Sequence, residues 1–127
     1  MRSIIRFASL SAGSVMLALV PAIGAGLTHA VGASATDVAA IKTAVTGLRH
    51  GEPASIDWYI AVNGADAVVY AGCTPGACNQ TQLIRRDGRW VVTCYTVEGK
   101  GRIGTCSMTP DKAQSLRRAA LSSYHGS

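Results

Sequence analysis

No two cysteines of this 127-residue chain have just two residues between them, no serine lies in a G-x-S-x-G elbow, and no glycine-rich phosphate loop is present. The first absence argues against a thioredoxin-like oxidoreductase, whose chemistry runs through C-x-x-C. The second argues against an α/β-hydrolase nucleophile. The third removes the usual cradle for a nucleotide, because the glycines are scattered one per turn. Histidine is scarce too, at three residues. Downstream of residue 35 only His50 and His125 remain, one at a helix end and one at the C-terminus. A nucleophile needs a base within reach and a group to orient that base, and these two positions offer neither.

Charge of one sign is not concentrated either. The formal net charge is +5 and falls to +3 once Arg2 and Arg6 are set aside. Nucleic-acid proteins gather basic residues along one face. Here the densest group is Arg85-Arg86-Asp87-Gly88-Arg89, which reads as a solvated hairpin tip, with an anionic surface or ligand as the sharper alternative. The acids Asp37, Glu52, Asp57, Asp66, Asp87, Glu98 and Asp111 fall mostly at caps and turns, where an acid has a local structural role. Asp57, just before Trp58, is the least accounted for; solvation at a strand start is its simplest role.

What is present begins with an export signal. A basic start, Met1 to Arg6, leads into an uncharged apolar stretch from Phe7 to Leu27. Two small-residue patterns follow, Thr28-His29-Ala30 and Ala33-Ser34-Ala35. These are the three parts of a secretory leader, with cleavage after Ala35 preferred over Ala30. An uncleaved anchor is the alternative, since about 20 apolar residues span a bilayer. Pro21, Gly24 and Gly26 weaken that alternative, and no cysteine closes the run to take a lipid. The expectation is residues 1–35 as signal peptide and 36–127 as one small domain, periplasmic or extracellular, with no stable membrane insertion after cleavage.

About 90 residues support a single domain with a modest core, so covalent staples matter. From Thr36 to Arg49, Val38, Ile41, Val45 and Leu48 recur at helical spacing, with Thr36 as expected N-cap and Asp37 in the first turn. Thr109-Pro110-Asp111 opens a second helix whose apolar stripe is Ala113, Leu116, Ala120 and Tyr124. Between them the chain alternates, predicting strands near 56–62, 66–73, 78–86, 89–96 and 102–108. Asn63-Gly64, Pro75-Gly76, Asp87-Gly88 and Gly99-Lys100-Gly101 supply hairpin turns. The expected fold is α+β: an N-terminal helix, an antiparallel meander of about five strands, and a C-terminal helix. Both helices are expected on one face of the sheet. Trp58, Tyr59, Tyr70, Trp90 and Tyr95 fall on strands, as core residues or as the lining of a groove on the open face.

Cys73, Cys78, Cys94 and Cys106 are even in number and lie downstream of the export signal, the setting in which bridges form. Their spacings, C-x4-C and C-x11-C, suit zinc poorly. Folding about Pro75-Gly76 sets Cys73 opposite Cys78, and folding about Lys100 sets Cys94 opposite Cys106. Turn symmetry thus favours Cys73–Cys78 and Cys94–Cys106, while spacing leaves the other two connectivities open.

The run Asn63-Gly64-Ala65-Asp66-Ala67-Val68-Val69, then Gln82 to Trp90 and Cys94, resembles small exported bacterial proteins known as copper uptake system-associated proteins. The likeness covers nearly all of the chain after residue 35, including the Pro-led helix from Pro110 to Leu121. The Cys73–Cys78 hairpin departs from that family. The resemblance implies a periplasmic location and a link to copper handling, and it carries over no ligand set. With the cysteines paired, Met108 is the soft ligand left, and imidazole suits Cu(II). The functional expectation is an exported accessory or binding protein with an unidentified protein or small-ligand partner, no nucleic acid, no catalytic residues and no resident cofactor. A secreted inhibitor of a hydrolase, and a small enzyme whose site assembles from distant positions, are the alternatives.

Overall fold

The computed structural model describes residues 26–49, 56–72, 79–97 and 99–124. Six strands and two helices lie among them. β1 (Thr28–Val31) is followed by α1 (Ala35–Arg49), then β2 (Trp58–Asn63), β3 (Asp66–Ala71), β4 (Gln80–Arg86), β5 (Arg89–Val97), β6 (Gly101–Gly104) and α2 (Pro110–Ala120). The strands form one sheet in chain order. β2 to β6 are the expected antiparallel meander. β1 was not expected: it lies upstream of residue 36 and pairs parallel with β2, placing Thr28 beside Trp58 and Val31 beside Ala61. A parallel pair needs a long crossover, and α1 supplies it.

The helices cover opposite faces, which corrects the expectation that both lie on one. α1 brings Ile41 and Val45 onto Trp58, Ile60, Val62, Ala67, Val69, Leu83 and Trp90. α2 brings Leu116 and Ala120 onto Tyr59, Ala61, Val68 and Tyr70. β2 and β3 are the reason. Their residues are buried along nearly the whole strand, so both faces demand cover, and one helix layer covers only one. The result is a three-layer arrangement dominated by its sheet, and α+β describes it only coarsely.

The helix starts follow capping chemistry. Ser34, not Thr36, caps α1: its Oγ accepts from the Asp37 amide at 3.0 Å, and Asp37 Oδ2 accepts from the Ser34 amide at 3.4 Å. That reciprocal pair is a capping box, which a start at residue 36 leaves out. Thr109 caps α2 as expected, accepting from the Lys112 amide at 3.2 Å with Pro110 behind it. At the β4–β5 turn Asp87 and Gly88 both take positive φ, 54° and 77°, as the favoured two-residue hairpin requires.

Candidate functional site

α2 packs on β1, β2 and β3, so the same face of the sheet over β4, β5 and β6 is left to other groups. Register decides which. Gln82 lies opposite Val68 and Gln80 opposite Tyr70, so both glutamines share the face of the α2 core. Cys94 lies opposite Gln82 on that face. Simple alternation from Trp90 and Val92, which pack towards α1, puts Cys94 on the other side. A bulge at Thr93 reverses the alternation: Leu83 pairs with Val92 and Gln82 with Cys94, leaving Thr93 over. Its hydroxyl donates to the Gln82 carbonyl at 3.2 Å, which holds the bulge in place.

The expected Cys94–Cys106 bridge is present, with Cα atoms 5.0 Å apart. Its geometry differs from the expected cross-strand pair. Cys94 faces Gly104, and β6 ends there rather than at residue 108. Gly104 has φ +89°, and a Cβ on it would lie 2.3 Å from the Thr93 carbonyl oxygen, so this close approach needs glycine. The chain then leaves the sheet, and Cys106 ties the departing loop back to β5. Cys73 and Cys78, the other expected pair, lie outside the described residues, as do His50 and His125.

Beneath that tethered loop is a cleft of about 240 Å³, lined by Gln80, Gln82, Arg102, Met108 and Gln114 among others. Its floor is a polar relay. Gln82 Nε2 donates to Gln80 Oε1 at 2.7 Å, and Gln80 Nε2 donates to the Tyr70 hydroxyl at 2.6 Å. Gln82 is only 3% exposed, and among the described residues its Oε1 accepts no hydrogen bond. An unpaired buried acceptor costs about 1–3 kcal/mol, so it is the group in this site with most to gain from a partner. A second, more open cleft of about 480 Å³ lies on the α1 face between Leu48, Tyr95, Val97 and Ile103.

None of the glutamines nor Arg102 was singled out from the sequence. The signal available was Gln80 and Gln82 two apart on a strand, polar on the face where Tyr70 is buried. Of the described acids, Asp37 and Asp111 lie in first helical turns and Asp87 in the β4–β5 turn, as expected of caps and turns, while Glu52 and Glu98 lie outside the described residues. Arg85 is no free hairpin-tip charge: its guanidinium lies 3.1 Å from Asp37 and 5.1 Å from the Trp90 ring. Asp57 accepts from the Leu27 amide at 2.9 Å. Tyr59, between stacked His29 and edge-on Tyr124, has its hydroxyl pKa pushed up by burial and then by Asp57. Among the described residues no group of three or more His, Cys, Asp or Glu gathers to hold a metal. No family model, curated protein or solved structure matches the chain.

Proposed function

We propose that this is a small exported binding protein, not an enzyme, whose cleft under the Cys94–Cys106 loop takes a small polar ligand. The observation that carries it is Gln82 Oε1, a buried acceptor with no partner among the described residues, on a side chain that lines the cleft. A ligand that donates an N–H or O–H to this oxygen removes the desolvation penalty. Arg102 at the same cleft favours an anionic or acceptor group beside the donor, because a guanidinium offers five N–H donors in a fixed fork. The ligand class that combines both is a small amino or hydroxy carboxylate. The link to copper that the family resemblance suggests is, on this reading, an accessory one. Met108 borders the cleft, yet the neighbouring sulfur of Cys106 is bound to Cys94.

The test is a thermal-shift panel of amino and hydroxy carboxylates against the oxidised protein, alongside Gln82→Met and Arg102→Met. At least one compound raises the melting temperature of the unaltered protein, and Gln82→Met abolishes that rise. A panel without effect, or a shift that survives both substitutions, refutes the assignment.

A further inference from the structure

The strand β1 conflicts with cleavage at either downstream small-residue pattern. Cutting after Ala30 severs β1 one residue before its end, and cutting after Ala35 removes it together with the Ser34 cap of α1. β1 is anchored by side chains as well as by pairing. Lys42 Nζ on α1 donates to Thr28 Oγ1, and the His29 ring stacks on Tyr59 with centroids 4.7 Å apart. Without β1, the apolar strand Trp58-Tyr59-Ile60-Ala61-Val62 becomes an open sheet edge, a ready template for aggregation.

We propose that the leader is removed between Gly26 and Leu27, and that the new α-ammonium of Leu27 docks on Asp57. This rests on the export reading and is independent of the cleft's ligand. Gly24-Ala25-Gly26 puts small residues at the third-last and last positions of the leader, as signal peptidases demand. Pro21 separates the apolar run from this segment. The peptidase adds water across the Gly26–Leu27 bond; Gly26 leaves as the carboxylate, and the Leu27 amine takes up a proton.

The folded edge is prepared for this terminus. Leu27 nitrogen already lies 2.9 Å from Asp57 Oδ1, and the Leu27 carbonyl accepts from the Trp58 amide at 2.8 Å. Cleavage converts the amide donor at that position into an ammonium, adding a charge–charge attraction to a bond whose carboxylate acceptor already makes it charge-assisted. Gly26 itself lies tight against the neighbouring segment: a Cβ built on it would meet the Ile56 carbonyl oxygen at 1.6 Å. The pairing also accounts for Asp57, the acid for which no cap or turn supplies a role. Opposite charge raises the pKa of the Leu27 amine above its unfolded value. Its stabilising effect is therefore complete below the unfolded value and is lost as pH rises through the folded one.

The experiment expresses the full-length chain in a bacterium with a general secretory pathway and reads the exported product by intact mass and N-terminal sequencing. The expected product begins at Leu27. Gly26→Leu blocks this cut, whereas Ala30→Leu and Ala35→Leu leave the start unchanged, and none of these readings requires a folded product. In the mature protein, NMR titration of the Leu27 amine shows a higher midpoint than in Asp57→Asn. A product starting at Ala25, Val31 or Thr36 overturns the site while leaving export intact. A full-length product in the membrane overturns both. Equal amine midpoints with and without Asp57 overturn the docking.

Discussion

Asp37 is the residue whose removal best tests the physical account of the α1 face. Its Oδ1 accepts from Trp90 Nε1 at 3.1 Å and from Arg85 at 3.1 Å, while Oδ2 completes the capping box with Ser34. Asp37→Ala keeps the Ser34 cap but loses the N3 arm of the capping box and a negative charge in the first turn, about 0.5–1 kcal/mol. It leaves the indole N–H of Trp90, a residue only 8% exposed, without its acceptor at about 1–3 kcal/mol. The ion pair adds at most about 1 kcal/mol, since the Arg85 side chain is 41% exposed. The expected loss is about 3 kcal/mol, and at about 4–8 °C per kcal/mol for a domain of this size the melting temperature falls by more than 10 °C. The Trp90 bond, followed by Ser34 and Arg85 against an opposing desolvation, holds the carboxyl below its ordinary value. A depressed carboxylate contributes stability that is complete above the unfolded value and is lost as pH falls through the folded one. The difference between the two proteins in urea unfolding is therefore constant near neutrality and narrows in strong acid. A loss under about 1 kcal/mol, or one that persists unchanged at the acid end, refutes the assigned role of Asp37.

Replacing Cys94 and Cys106 by serine removes a 12-residue separation bridge and costs about 3 kcal/mol, seen as a lower urea midpoint that matches the reduced protein. Ile41→Ala and Leu116→Ala each cost about 2–5 kcal/mol, and their effects add within about 0.5 kcal/mol because the sheet separates them. Strong coupling between the two in a double-mutant cycle contradicts the opposite-face arrangement. Titration of the oxidised protein with Cu(I) and Cu(II) against a competing chelator shows micromolar or weaker binding, because one thioether makes a poor site. Stoichiometric binding below micromolar reverses that expectation and makes Met108 the first residue to replace.

The sequence by itself determined the local pieces. Thr109-Pro110 announced α2, Asp87-Gly88 announced its hairpin, and the β2–β6 meander followed from alternation and turn residues. These signals act over a few residues, through φ limits, capping hydroxyls and pleat period, so they are readable without a fold. The pairing of Cys94 with Cys106 was readable for the same reason, as a closure about one turn. Only the tertiary structure decided the rest. β1 is too short to announce itself and exists through its parallel bonds to β2. The placement of the helices on opposite faces follows from burial on both sides of β2 and β3, a property of the assembled sheet. The cleft depends on a single extra residue, Thr93, which turns Cys94 to the face of Gln82. Alternation cannot announce that turn, because a bulge is defined by its partner strand, and Gln82 lines a cleft only once β6 and α2 stand beside it.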